Sequence, residues 1–287
     1  MGPSWAADTR TMHIRLPALA LLALVLGASR VNAQFRPSNP VPGENYHVEL
    51  GLMFWNTSPG IVIGSPSLGQ FSPAPVDFVG LLGLEDKRFS EFRGVLKGGR
   101  HKLRISRIGF NFSQTVVPPS TVTIDGRTFP VTAPTTGAFD WDMFRLGYEH
   151  DFGQSDRGYI GLITEVKFNS VTAALRAPDL NATANIQDVS VPAPQLGVVA
   201  RVYPHKNVSI TAEFTGFKVL SFLRTALTDA ETFEANFKDF EIYGTVSITR
   251  FLGLQGGYRS LSVEYEVDAE NGDLQMKGPY FGGMIRF

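Results

Sequence analysis

Of the five histidines in the chain, His13 falls in a leader-like stretch and the other four are His47, His101, His150 and His205. Histidine, paired with serine and an acid, is the usual base of hydrolytic and acyl-transfer sites, so their placement decides whether such chemistry is available. His47 opens a candidate strand, His101 and His205 stand in or beside short turns, and His150 is near the end of a strand. All four therefore gather at one rim of the fold described below. Asp140 and Asp142 belong to the opposite end and have no histidine with them. No Gly-x-Ser-x-Gly elbow occurs, and the absence of cysteine excludes thiol catalysis and cysteine-held metals. Asp268, Glu270 and Asp273 bracket Asn271-Gly272, but the spacing is not that of an EF-hand loop, and Asn-Gly is ordinary hairpin chemistry. The residues lead us to expect no catalytic site, no metal and no cofactor.

A second group of reactive side chains forms a pattern. Glu49, Arg93, Arg145, Glu149, Glu165, Lys167, Arg201, Glu213 and Arg259 each fall on the strand parity opposite the apolar one, as do Glu91, Lys97, Glu241 and Arg286. A Lys or Arg facing lipid near mid-membrane costs up to about 4 kcal/mol. These charges are expected inside a barrel. Both signs in a narrow interior imply pairing and trapped water, with a lumen nearly plugged and weakly conducting if at all.

The elements that must hold these charges are strands. Tyr46–Trp55, Phe89–Lys97, Lys102–Phe112, Trp141–Phe152, Gly158–Ala173, Val191–Tyr203, Asn207–Val219, Phe240–Thr249, Leu252–Val267 and Asp273–Phe287 alternate apolar and polar residues. Each is near or above the length of a tilted membrane strand. Every second connection is short and the others are mostly long, the rhythm of periplasmic turns and extracellular loops. An even strand number puts both termini on the periplasmic side. The expected fold is an all-β, transmembrane, antiparallel up-and-down barrel of about ten strands, with eight as the alternative count. Alternation breaks between Ile105 and Ile108, between Tyr258 and Leu261, and between Trp141 and Phe144. Bulges, or strand tops rising above the membrane, are the two explanations.

Three long connections carry signals of their own. Asp125-Gly126 marks the tip of a short hairpin ribbon. Thr228 and Glu231 have capping-box spacing for a short helix. Val76–Leu84 is apolar for a surface loop and is expected to pack against neighbouring loops, or else over the barrel rim or a partner.

Before the barrel, Met12–Arg15 is basic, Leu16–Leu26 is an unbroken apolar run, and Val31-Asn32-Ala33 suits signal-peptidase cleavage. Residues 1–33 read as a signal peptide whose true start is expected at Met12, 34–45 as a periplasmic tail and 46–287 as the barrel. The 26 basic and 27 acidic residues nearly cancel, which implies no nucleic-acid partner.

The closing strand ends on Phe281, Gly283 and Ile285 on one parity and Tyr280, Gly282, Met284 and Arg286 on the other, followed by Phe287. Tyr280, Gly282, Ile285 and Phe287 resemble the C-terminal insertion signal of bacterial outer-membrane barrels, although Ile285 replaces the usual aromatic. With Gly257-Tyr258-Arg259 and the inner-polar strands, the chain resembles small monomeric outer-membrane barrels of the OmpA-like, porin-like type. The resemblance implies a Gram-negative outer membrane, contact with lipid and lipopolysaccharide, and insertion by the barrel-assembly machinery with periplasmic chaperones. It transfers no functional residue. A structural or narrow-pore role is the leading expectation, a surface ligand-binding or adhesin role through the long loops is its rival, and a lipid-modifying enzyme is the third reading.

Overall fold

The structure is a computed structural model that describes residues 44–64, 76–117, 122–124, 127–129, 133–153, 155, 157–177, 179, 182–218, 233–267 and 270–287. The signal peptide, the tail up to residue 43, Asp125-Gly126, the Thr228–Glu231 segment and Asp268 lie outside them.

Among the described residues the strands are β1 (Val48–Gly64), β2 (Val76–Asp77), β3 (Lys87–Gly98), β4 (His101–Val116), β5 (Val122–Ile124), β6 (Arg127–Phe129), β7 (Thr135–Asp151), β8 (Gly158–Ala177), β9 (Ala182–His205), β10 (Val208–Lys218), β11 (Phe233–Ser247), β12 (Leu252–Val267) and β13 (Glu270–Arg286), with an α-helix, α1 (Phe78–Leu82). Ten of these strands pair antiparallel with their neighbours in sequence, and β13 returns to β1, closing the barrel. The seam runs in unbroken register from Glu49 opposite Arg286, through Trp55 opposite Tyr280, to Gly64 opposite Asn271. Every wall strand is thus paired on both edges, the condition for a sheet to sit in hydrocarbon. β5 and β6 form a separate small hairpin, the expected ribbon.

One end of the barrel carries the short turns, with Tyr46 and Phe287 beside them: the backbone N–H groups of His47 and Val48 both donate to the Phe287 carbonyl. The opposite end carries the long connections. The strands reach further toward this loop end than their alternation suggests. β7 begins at Thr135 rather than Trp141, β9 at Ala182 rather than Val191, and β11 at Phe233 rather than Phe240.

The reason is that alternation inverts along the axis. In β4, Leu103 and Ile105 point outward, whereas Ile108, Phe110 and Phe112 point inward and are buried. No bulge separates them, because the β4–β7 register is continuous from His101 opposite His150 to Val116 opposite Thr135. β7 behaves alike, with Phe144 outward and Trp141 buried, as does β12, with Tyr258 outward and Leu261 buried. The register shifts of the wall lie elsewhere, at Val208/Ile210 and Ala173/Ala174. Toward the turn end the wall is apolar outside and polar inside. Toward the loop end it is apolar inside, with Arg107, Asp140, Asp142, Lys238, Glu264 and Lys277 exposed outside. The first pattern suits lipid and the second suits water. Of the two explanations for the broken alternation, the strand tops are the correct one.

Candidate functional site: the filled lumen

At the turn end the lumen is stoppered by a residue from outside the wall. Glu44 is buried and ion-paired with Lys97 and with Arg201, whose Nη1 is 2.8 Å away, and it accepts a hydrogen bond from the Tyr203 hydroxyl. Lys97 also donates to the Glu44 carbonyl at 2.8 Å. Burial alone would raise the Glu44 carboxyl's pKa; the charges of Lys102, Arg201 and Lys97 outweigh it and hold the group well below the usual carboxylate range. Beside this peg, Lys102 reaches Glu149 at 2.6 Å and Asp151 at 3.0 Å.

The middle of the lumen is a continuous web. Arg104 bridges Glu149 (2.8 Å) and Glu213 (2.5 Å), and Tyr243 donates to Glu213 at 2.6 Å. Arg93 bridges Glu91 (2.7 Å) and Glu241 (2.6 Å), and Glu241 also accepts from the Tyr280 hydroxyl. Arg259 is fully buried between Asp239 (2.7 Å) and Glu91 (3.1 Å). Lys167 joins Asp239 (2.6 Å) to Glu165 (3.2 Å). Arg145 lies 3.7 Å from Glu91 and donates to Ser106, and Arg286 meets Glu49 at 2.5 Å. A cavity of about 40 Å³ remains among Arg93, Arg104, Arg145, Glu149 and Glu213, room for a water or two. Removing one member of such a buried set leaves its partners short of a counter-charge, a loss of up to about 3–5 kcal/mol.

Above this web the filling becomes apolar. Arg259 lies over the Trp55 ring, 4.9 Å from its centroid, and Trp55 donates from Nε1 to the Gly278 carbonyl at 3.0 Å. That backbone must come close: a Cβ on Gly278 would stand 1.9 Å from the Asn56 carbonyl oxygen. Trp55, Phe89, Phe110 and Trp141 then stack edge-on or tilted, with centroids 5.2–5.6 Å apart. Such pairs are favourable beyond the area they bury. α1 closes the top. Asp77 caps it by accepting from the N–H groups of Val79 and Gly80, Gly83 ends it in the left-handed conformation, and Phe78 and Leu82, one turn apart, are both buried. Gly137 on β7 makes room for Leu82, whose Cδ1 would be 2.1 Å from a Cβ there. The apolar segment Val76–Leu84 thus turns inward at the rim as a cap.

All nine charges of the expected network line the lumen: Glu49, Arg93, Arg145, Glu149, Glu165, Lys167, Arg201, Glu213 and Arg259 each have a polar partner there. Sequence reasoning passed over Glu44, Lys102, Arg104, Asp151 and Asp239. Lys102 and Arg104 share their parity with Ile108 and Phe110, which masked it. Asp239 stands one residue before the apparent strand start, and Glu44 stands in the tail. Of the insertion-signal residues, Tyr280 points into the lumen, Ile285 and Phe287 are exposed on the outer face, and Gly282 packs against the Leu52 carbonyl.

The histidines stay at the turn end. The His47 N–H donates to Phe287, and His205 accepts from the Asn207 N–H. His101 and His150 face each other across β4 and β7 on the outer face. Asp142 is exposed near the loop end, 3.8 Å from Arg107.

No family model matches the chain, and neither does any curated protein. Among solved structures, outer membrane protease OmpT from Escherichia coli aligns over 84% of this chain and 97% of its own, with a TM-score of 0.51 and 7% identity. The translocator domain of autotransporter NalP from Neisseria meningitidis aligns over 95% of each chain, with a TM-score of 0.40 and 8% identity. Neisserial surface protein A aligns over 84% of this chain and 97% of its own, with a TM-score of 0.36 and 10% identity. The fold is that of a bacterial outer-membrane β-barrel.

Proposed function

We propose that the chain is a closed, non-conducting and non-enzymatic barrel of the bacterial outer membrane, with a structural role in the envelope. The observation that carries this reading is the double filling of the lumen, ionic toward the turn end and aromatic toward the loop end. Ions crossing the first would still meet the second, where the described residues pack aromatic rings against one another. The lipid-suited belt supports insertion as a monomer among phospholipid and lipopolysaccharide, delivered by chaperones and the barrel-assembly machinery. The long connections support an outward loop end, which leaves the turns and both termini in the periplasm.

The test is conductance in a planar bilayer containing the purified barrel. We expect silence, and silence again in Arg201→Ala, because the aromatic stage remains shut. A steady ionic current through the unaltered protein would overturn the reading in favour of a narrow pore. The surface-binding alternative draws on one feature, the water-suited outer face near the loop end, which would hold the loops and the β5–β6 hairpin clear of the lipid.

A further inference from the structure

We propose that Arg88, Lys277 and Lys238 form a crescent on the outer face that binds the phosphates of lipid A, the phosphorylated glycolipid of the outer leaflet. The assignment rests on the outward loop end of the proposed function. The three side chains are exposed on the outer parity of β3, β13 and β11. Among the described residues none of them is joined to a carboxylate, whereas Arg107 on the opposite arc lies 3.8 Å from Asp142. Arg88 is also held in place. Its Nε donates to the Asn56 side-chain oxygen at 2.7 Å, and its guanidinium lies 5.4 Å from the centroid of the Phe281 ring. Both terminal nitrogens remain for a phosphate, which a guanidinium grips with two parallel N–H donors.

Register brings the three cations to one height. Arg88 is opposite Asn56, Ser58 is opposite Lys277, Lys277 is opposite Ser260, and Ser262 is opposite Lys238. Each cation is thus two strands and two residues from the next. The line of directly paired residues Met53, Glu91, Ile108, Met143, Asn169 and Val191 starts close to the turn end of β1. It arrives on β9 far from that strand's own turn end, His205. In the other direction, from β3 through β1 to β11, such a line descends toward the turns, and the two-residue step toward the loops cancels the descent. Two residues are about 7 Å and two strands about 10 Å, the slope of a strand tilted by about 35–45°. That height is the edge of the lipid belt: the exposed aromatics Phe92, Phe281 and Phe240 lie one or two outward positions nearer the turns.

Between the cations the outer parity presents Asn56, Ser58, Ser260 and Ser262, all neutral hydrogen-bonding groups. Neighbouring cations are about 12 Å apart along the backbone diagonal. With Arg88 held, a lipid with a single phosphate would meet it alone. Lipid A, with phosphates at both ends of a disaccharide, would engage Arg88 and Lys277 together. The opposite arc, where Asp140 and Asp142 are exposed, repels the same headgroup.

The experiment refolds the full barrel in detergent free of lipopolysaccharide and follows retained lipid by native mass spectrometry. We expect one lipid A per barrel, held more tightly than phosphatidylglycerol or dephosphorylated lipid A. A Lys or Arg near an anionic surface contributes about 5-fold in binding, so Arg88→Gln/Lys238→Gln/Lys277→Gln should weaken retention by about 100-fold. Arg107→Gln should bind as the unaltered protein does, and heat-modifiable gel migration confirms that each variant is folded. Equal retention by the triple variant, or of the dephosphorylated lipid or phosphatidylglycerol, would overturn the proposal at the residues themselves. Orientation is read separately, in whole cells, from Lys206→Cys in a turn. An impermeant maleimide should leave it unlabelled; labelling would turn the crescent to the periplasmic leaflet and overturn the assignment to lipid A, with retention in detergent unchanged.

Discussion

Glu44 carries its charge into a barrel mouth that already contains Lys97, Lys102 and Arg201, and this one carboxylate stands opposite all three. Its pKa is lowered in the folded state, so the peg's contribution is complete above the unfolded carboxylate value of about 4.3 and declines as pH falls below it. Urea unfolding in detergent should therefore show the unaltered barrel more stable than Glu44→Gln near neutrality. The gap should narrow steadily as the pH is lowered through about 4, and a gap independent of pH would remove the charge from the explanation. Such a residue was invisible in the sequence, because nothing in a polar tail distinguishes a peg from a solvated acid. Arg93 or Glu213, by contrast, was legible from parity alone, since each stands among residues whose neighbours face lipid.

At the scale of elements, α1 shows how short a helix can be when packing replaces length. A segment of five residues has no stability of its own; it persists because Asp77 and Gly83 cap it and Phe78 and Leu82 are buried in the loop-end core. Gly137→Val tests that dependence, since valine favours the strand yet would strike Leu82. We expect a loss of about 1–3 kcal/mol, largely restored in the Gly137→Val/Leu82→Ala double variant, measured by urea unfolding. Failure of the second change to rescue would place the strain in the wall. The strands were legible where lipid faces them and foreshortened where it does not. The expected strand starts only at Trp141, because the outer-parity charges Asp140 and Asp142 contradict a longer membrane strand. The same charges agree with a strand once Trp141 and Phe139 are seen to point inward. The sequence contained both halves of β7, but only the paired wall reveals where the solvent changes.

For the whole molecule, that change divides one continuous sheet into two stages in different media. Ile242 and Asn236 lie on the same outer parity of β11, Ile242 among exposed apolar neighbours and Asn236 donating to Glu264 at 3.1 Å. Ile242→Arg should cost about 2–4 kcal/mol of stability in lipid vesicles, whereas Asn236→Arg should stay within about 0.5 kcal/mol. Equal penalties at the two sites would abolish the division. The seam between β1 and β13 has a different consequence, which concerns time. The ion pair of Arg286 with Glu49 joins residues 237 positions apart, so the longest excursion of the chain is also the last to be tied. Until β13 docks, β1 and β12 each present a row of unpaired N–H and C=O groups, and in hydrocarbon each such group costs several kcal/mol. A nine-tenths-built wall is therefore no resting place within a bilayer. Assembly has to proceed somewhere those edges remain wet or borrowed, and release into lipid becomes a single late event timed by the arrival of the final strand.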